Sequence, residues 1–215
     1  MNTAKIVAIT DPLVEGVDTA DQFIAYAARV SNPSNQMNNE TSEKLLKYCI
    51  RNSHFSVFEM VNVVMEIETT RDIARQVLRH RSFSFQEFSQ RYADPTKDLG
   101  FVTREARLQD TKNRQNSIET TDFELEDWWW RQQCGVWDIA QNAYNSAIAR
   151  GIAKEQARAV LPEGLTLSRL YMNGTLRSWI HFCELRMGNG TQKEHREVAT
   201  SAWNQLAIYF KFLTR

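Results

Sequence analysis

The chain has 215 residues and a mass of 25.0 kDa, enough to bury one sizeable core, and a single domain over 1–215 is expected. Hydrophobic residues make up 42% and charged residues 24%, near globular averages, so neither disorder nor membrane residence is indicated. Twenty-six basic side chains against 26 acidic ones leave zero formal net charge, which argues against a protein devoted to coating DNA or RNA.

Residues 6–10 read as a short buried strand directly after the N-terminus, which lacks the form of a signal peptide. No window approaches the roughly eighteen apolar residues of a transmembrane helix, and a cytoplasmic protein is expected. Thr19-Ala20-Asp21-Gln22 has the form of a capping box and opens a helix to about Val30, broken by Asn32-Pro33. A second helix is predicted over 43–51 with Leu45, Leu46, Cys49 and Ile50 inward, followed by a loop over 54–59. The valine-, isoleucine- and methionine-rich run 60–69 predicts a strand buried on one face or both, and Ile73, Ala74, Val77 and Leu78 mark the packed side of a short helix over 71–78. The polar, motif-poor stretch 94–117 reads as a partly extended excursion.

Thr121-Asp122-Phe123-Glu124 is a second capping box, opening one long helix or two collinear ones to Arg150. Trp128, Trp129 and Trp130 lie on it, and three successive helical residues cannot share one face, so at least one is expected to meet another subunit or a lid. A short helix over 154–161 closes at Pro162, and 166–172 is strand-like with a turn at Asn173-Gly174. Thr175 then caps a helix carrying Leu176, Trp179, Ile180, Cys183 and Leu185 inward, and Thr191-Gln192-Lys193-Glu194 is a third capping box before a final amphipathic helix. The pattern as a whole predicts an α+β fold, a small antiparallel or mixed β-sheet packed against several helices with a long central one.

Three cysteines without a CxxC pair and four histidines without HxxxH or HExxH spacing indicate neither a disulfide framework nor a metal site. No GxGxxG follows the first strand and no GxxxxGK[ST] occurs, so neither a Rossmann site nor a P-loop is written here.

The chemistry concentrates between Arg71 and Arg91, where five arginines face only Asp72 and Glu87, a local excess of three positive charges. Within it, Arg79-His80-Arg81-Ser82-Phe83-Ser84-Phe85-Gln86-Glu87-Phe88-Ser89-Gln90-Arg91 mixes guanidinium forks, which grip phosphate through paired charge-assisted bonds, with aromatics that pack on a base or a flavin. A nucleotide or dinucleotide site is the first reading. The bland alternative is a charged helix end whose arginines face water.

The spacing Arg79-His80-Arg81, seven residues, Ser89, x, Arg91 resembles the signature of the flavin-dependent thymidylate synthases. The resemblance extends through His54-Phe55-Ser56-Val57-Phe58-Glu59, Glu155-Gln156-Ala157-Arg158-Ala159-Val160-Leu161-Pro162 and Leu176-Arg177-Ser178-Trp179-Ile180-His181-Phe182 to Leu185-Arg186. It implies an enzyme making dTMP from dUMP, with 5,10-methylenetetrahydrofolate as one-carbon donor and NADPH-reduced FAD as hydride source, and without a cysteine adduct. For dUMP it implies Gln76, Arg79, Glu87, Ser89, Gln90, Arg91, Arg158 and Arg186. Arg186 is the implied catalytic group, stabilising negative charge on the uracil. For FAD it implies Ser56, Arg79, His80, Arg81, Glu87, Thr175, Arg177 and His181, with His54 in the folate or flavin environment. The family often has glycine where Gln90 stands and asparagine where Thr175 stands. It also implies a homotetramer with active sites between subunits. Two readings compete with it: a nucleotide-binding module that has lost turnover, and an RNA-binding protein using Arg79 to Arg91.

Overall fold

In the computed structural model, which describes residues 2–214, the centre is a four-stranded antiparallel sheet in the order β1-β2-β6-β3. Its strands are β1 (Thr3–Ile9), β2 (Asn62–Thr70), β3 (Ser84–Glu87) and β6 (Leu167–Thr175); a separate hairpin pairs β4 (Arg107–Gln109) with β5 (Ser117–Glu119). The helices are α1 (Ala20–Ala28), α2 (Ser42–Arg51), α3 (Arg71–Val77), the single turn α4 (Pro95–Asp98), the long α5 (Phe123–Ala149), α6 (Lys154–Ala157), α7 (Leu176–Arg186) and α8 (Lys193–Tyr209). This is the α+β architecture expected from the pattern of elements.

The period-2 alternation of β2 decides which face is buried. Val63, Met65 and Ile67 are fully enclosed, as are Leu170 and Met172 of the neighbouring β6, and they meet Ile24, Leu46, Ile73, Val77, Trp179, Phe182 and Leu206 from the helices. The opposite face carries polar cross-strand pairs instead: Glu66 stands opposite Tyr171, whose hydroxyl donates to it over 2.8 Å, and Glu68 stands opposite Arg169. One face of β2 is therefore in the core, as an antiparallel sheet with one half-open face allows. The indole of Trp179 donates to the Val63 carbonyl over 3.0 Å and so fixes α7 to the sheet. Ser201 and Gln205 of α8 bond the backbone of β1, covering an edge that would otherwise offer unpaired groups.

Several local expectations are corrected. Residues 54–59 are no open loop, because Phe55–Met60 winds into a 3-10 helix that buries Phe58. Asn173-Gly174 makes no turn: Asn173 pairs with Val64 and Ser84, Gly174 with Val63, and β6 runs on to Thr175. The glycine serves a close approach, since a Cβ there would sit 2.4 Å from Cδ1 of Phe83. Gly174→Ala is accordingly expected to cost about 1–3 kcal/mol by overpacking, and a calorimetric Tm equal to that of the parent would refute this.

Leu185 is half exposed instead of inward. Of the three capping boxes, none closes as written. At α1 the Thr19 hydroxyl goes to Asp21 and Gln22 reaches the Asp18 amide; at α5 the cap is Asp122, accepting from Glu124 and Leu125; at α8 the residue in the cap position is Gln192, which makes no side-chain cap. Thr175 does cap α7, accepting from the Ser178 amide over 3.3 Å.

The polar excursion after Arg91 is pinned by α5. Gln133 exchanges two hydrogen bonds with the Arg104 backbone at 2.7 and 2.9 Å, and Phe101 stacks on Trp137 at 4.7 Å. Trp137 and Tyr144 build a satellite core with Ala157, Leu161 and Leu165. Trp128, Trp129 and Trp130 all lie outside both cores. Among the described residues, no helix is long and apolar enough to cross a membrane.

Candidate active site

Strand β3, in a stretch to which the sequence analysis assigns no element, organises the site. Its register sets Ser84 opposite Asn173 and Glu87 opposite Leu170, so the chain between Arg79 and Arg91 is laid along the free edge of β6. Arg79, His80 and Arg81 precede the strand and stand at the α7 end. Ser89, Gln90 and Arg91 follow it and stand at the end from which β6 begins.

At the α7 end, Phe55, Glu59, Ser82, Thr175, Arg177, Ser178, His181 and Glu184 line a cleft of about 480 Å³. Three of the residues assigned to FAD by resemblance, Thr175, Arg177 and His181, are thus brought together. Ser56 is exposed on the 3-10 helix that supplies Phe55 and Glu59. Glu59 was missed by the sequence reading, although it closes a block that carried the resemblance. It accepts from Arg177 at 2.5 Å and from Thr175 at 2.8 Å, and the Arg177 bond chiefly holds its carboxyl below the usual range. The lining offers the Phe55 ring, the hydroxyls of Ser82, Thr175 and Ser178, the His181 imidazole, the Arg177 guanidinium paired with Glu59, and the Glu184 carboxylate, an apolar wall with mixed donors and acceptors that suits part of a flavin dinucleotide. His181 is exposed on this wall, not a buried core histidine.

Beside the cleft, the last residue of α7 meets the first motif histidine: Arg186 Nε donates to His80 Nε2 over 2.9 Å. His80 packs edge-on to Phe182 at 4.9 Å, and Phe83 packs edge-on to Trp179 at the same separation. No carboxylate pairs with Arg186 among the described residues. Burial, then the charges of Arg186 and His181, push the His80 pKa down to about 4. Burial, then Arg186 and His80, push His195 down to about 4 as well. Both imidazoles are neutral at pH 7, which leaves the guanidinium as the positive charge of this group.

These depressed values carry a stability consequence. Below pH 6.5 the unfolded chain binds protons that the folded chain refuses until about pH 4, so stability is full above pH 6.5 and falls as the pH approaches 4. Scanning calorimetry between pH 8 and 4 should show this decline, and His195→Asn should make it shallower; parallel curves for the two proteins would contradict the assignment.

At the other end, Arg91 Nε lies 3.4 Å from the Glu155 carboxylate, and Arg158 Nε donates to the Glu155 carbonyl over 3.3 Å. Ser89, Arg91 and Arg158 are therefore neighbours, and Lys154 ties α6 to the Tyr92 carbonyl over 2.8 Å. The Gln90 side chain is buried, away from open solvent. Glu87 sits between the two ends, accepting from Ser168 at 2.9 Å with Arg71 at 3.5 Å. Among the described residues Ser89 has no histidine partner, so it lacks the base that a nucleophilic serine requires. Arg79 and Arg81 are exposed, without side-chain partners among the described residues.

A further cleft of about 390 Å³ is lined by Arg104, Arg107, Lys193 and Arg196 with Trp129, and holds no predicted site residue. Its cations are largely matched: Arg104 pairs with Asp72, Arg107 with Glu194, and Lys193 with Glu105 and Glu119.

Over 199 residues the chain is 52% identical to a probable flavin-dependent thymidylate synthase of Paramecium bursaria Chlorella virus 1, covering 93% of this chain and 91% of that protein. It is 48% identical over 201 residues to the flavin-dependent thymidylate synthase of a Synechocystis strain, with 92% and 91% covered. The fold matches a crystal structure of a UMP/dUMP methylase, PolB from Streptomyces cacaoi, bound with 5-Br dUMP, at a TM-score of 0.79 and 25% identity over 99% of this chain and 93% of that one. The family described as Thymidylate synthase complementing protein matches residues 12–209, and the chain belongs to that family, the flavin-dependent thymidylate synthases.

Proposed function

We propose that this enzyme converts dUMP to dTMP with 5,10-methylenetetrahydrofolate as the one-carbon donor and FAD, reduced by NADPH, as the hydride source. The observation that carries the reading is the Arg186–His80 pair at the edge of the Thr175–Arg177–His181 cleft, a guanidinium oriented by a neutral base and, among the described residues, unopposed by a carboxylate. Ser56, Arg79, His80, Arg81, Glu87, Thr175, Arg177 and His181 would hold the flavin, which when bound supplies the hydride. Gln76, Arg79, Glu87, Ser89, Gln90, Arg91, Arg158 and Arg186 would hold dUMP.

Uracil is a poor nucleophile at C5 until electron density is pushed into its ring. Arg186 would lie against the uracil edge and stabilise the negative charge that develops there, a role for a preorganised charge in a site shielded from water. Two of the three thiols favour a route without a cysteine adduct. Cys183 is buried on the inner face of α7 with its pKa pushed far up by burial, and buried Cys49 is raised for the same reason, so neither thiol ionises readily. Three free cysteines also suit a reducing, cytoplasmic setting.

The two ends of β3 favour a homotetramer with shared sites. In one chain the residues assigned to dUMP fall on both sides of that strand, Arg186 by the cleft and Arg91 with Arg158 beyond it, so a second chain bringing its own Arg91 end to the first chain's cleft would reunite them. The reading is tested by the visible spectrum of the purified protein before and after addition of dUMP. Flavin bands that shift with dUMP support one common site; a protein that stays colourless after incubation with FAD overturns the proposal.

A further inference from the structure

Behind Arg186 a line of side chains leads away from the cleft into α8 and the β4–β5 hairpin, and only its first member, Gln76, has a place in the proposed function. Gln76 Nε2 donates to Gln192 Oε1 over 2.8 Å, Gln192 Nε2 donates to Glu194 Oε2 over 2.9 Å, and Glu194 Oε1 accepts from Arg107. On the other side of Gln76, its Oε1 lies 3.3 Å from His195 Nδ1. Glu194 and His195 are 7% and 1% exposed.

The far end of this line dictates its direction. A carboxylate paired with arginine can only accept, so Gln192 must turn its NH₂ toward Glu194 and its oxygen toward Gln76. Gln76 must then give its NH₂ to Gln192 and its oxygen to His195, which leaves Nδ1 of His195 as the protonated nitrogen. The lone pair of that imidazole consequently sits on Nε2. That atom is buried and has no hydrogen-bond partner among the described residues. An unmatched buried acceptor is costly, and its persistence calls for a function. The His195 ring stands 6.2 Å from that of His80 and 5.8 Å from Phe182, within the group that orients Arg186.

We propose that His195 is a positioning residue for Arg186: the Arg107–Glu194–Gln192–Gln76 line fixes its Nδ1–H tautomer, so that His195 and His80 offer the guanidinium two neutral lone pairs. A carboxylate in either place would orient Arg186 equally well but would neutralise the charge that the uracil needs, and an imidazolium would repel the guanidinium. Neutral acceptors orient the group and leave its charge whole. The inference rests on the function proposed above, and it gives a role to Arg107 in the hairpin, a stretch whose sequence showed none.

The test uses full-length, flavin-loaded protein with ¹⁵N-labelled histidine, in which only four rings report. Long-range ¹⁵N–¹H spectra should show His195 as the Nδ1–H tautomer from pH 8 down to pH 6, and Glu194→Gln, which removes the fixed direction of the line, should mix the tautomers. In turnover, His195→Asn keeps a donor for Gln76 but lacks the distal lone pair, and kcat should fall tenfold or more, roughly the scale of a displaced catalytic group, with KM for dUMP within about threefold and flavin content unchanged. His195→Gln, whose carbonyl oxygen can reach the Nε2 position, should recover part of that loss. A His195 ring protonated at Nε2 overturns the inference whatever the turnover; so does a kcat for His195→Asn equal to that of the parent, or a loss of kcat that only follows loss of flavin. A parent protein that makes no dTMP overturns the functional reading instead, and the ring spectra still decide the tautomer.

Discussion

Arg186→Ala is expected to lower kcat for dTMP formation by a factor on the order of 10²–10³, the usual loss when one preorganised charge is removed from a developing anion. Its flavin content should stay at the parent level, because the cleft of Thr175, Arg177 and His181 does not include Arg186. The bland role for this residue is that of a cation at the C-terminus of α7, favourable to the helix dipole, worth about 0.3–1 kcal/mol of stability and nothing in turnover. The two roles separate cleanly: a small change in Tm with a collapse of kcat supports catalysis, and near-parent kcat assigns the residue to the helix end. Arg186→Lys sharpens the test. Lysine keeps the charge but loses the planar fork and the Nε–H that His80 accepts, so its kcat should lie between the other two. Arg186→Ala should also let the His80 and His195 pKa values rise, since the Arg186 charge is the second cause of depression at both, after burial, whereas Arg186→Lys keeps that charge.

Much of the frame that holds this site was legible in the sequence, because the responsible signals are local. The alternation of β2, the apolar stripe of α7 and the hydroxyl of Thr175 as its cap each depend on residues a few positions apart. What the sequence hid depends on partners far along the chain. Ser84–Glu87 is a strand only because β6 offers it a free edge nearly ninety residues later, and Gly174 looks like a turn residue unless Phe83 is known to lie against it. Thr191 to Glu194 fails as a capping box for a related reason: the Glu194 carboxylate is held by Arg107 and Gln192, so it cannot reach back to the helix start.

The site shows the same division. His80, Ser89 and Arg91 stood out because several unusual residue types fall together in one short segment, whereas Arg186 was marked only by the resemblance to the family. Glu59 and His195 carry no such mark. Glu59 matters through Arg177 and Thr175, and His195 through Gln76, at separations of more than a hundred residues each. A lone histidine on an amphipathic helix is ordinarily a core residue, and only its buried, unmatched Nε2 distinguishes this one.

Arg91→Ala should weaken dUMP binding by about 1.5–3 kcal/mol, the scale of a hydrogen bond to a charged group, which is roughly 10- to 150-fold in Kd. Folding stability should scarcely change, and the structure says why. Arg91 and Glu155 are both about half exposed and meet at 3.4 Å, the kind of surface pair that contributes about 0–1 kcal/mol. Its present partner is instead a competitor. A phosphate bound by Arg91 and Arg158 must draw the Arg91 guanidinium away from the Glu155 carboxylate or sit beside that negative charge, and either costs affinity. Glu155→Gln should therefore tighten dUMP binding while Arg91→Ala loosens it, and the double variant should bind about as Arg91→Ala does if the carboxylate acts mainly through this arginine. Both changes should shrink as salt is added, because the groups face solvent. Titration of the flavin absorbance with dUMP measures all three variants. An unchanged Kd for Arg91→Ala would place the phosphate elsewhere, and weaker binding in Glu155→Gln would make that carboxylate a support for the arginine and not a rival of the phosphate.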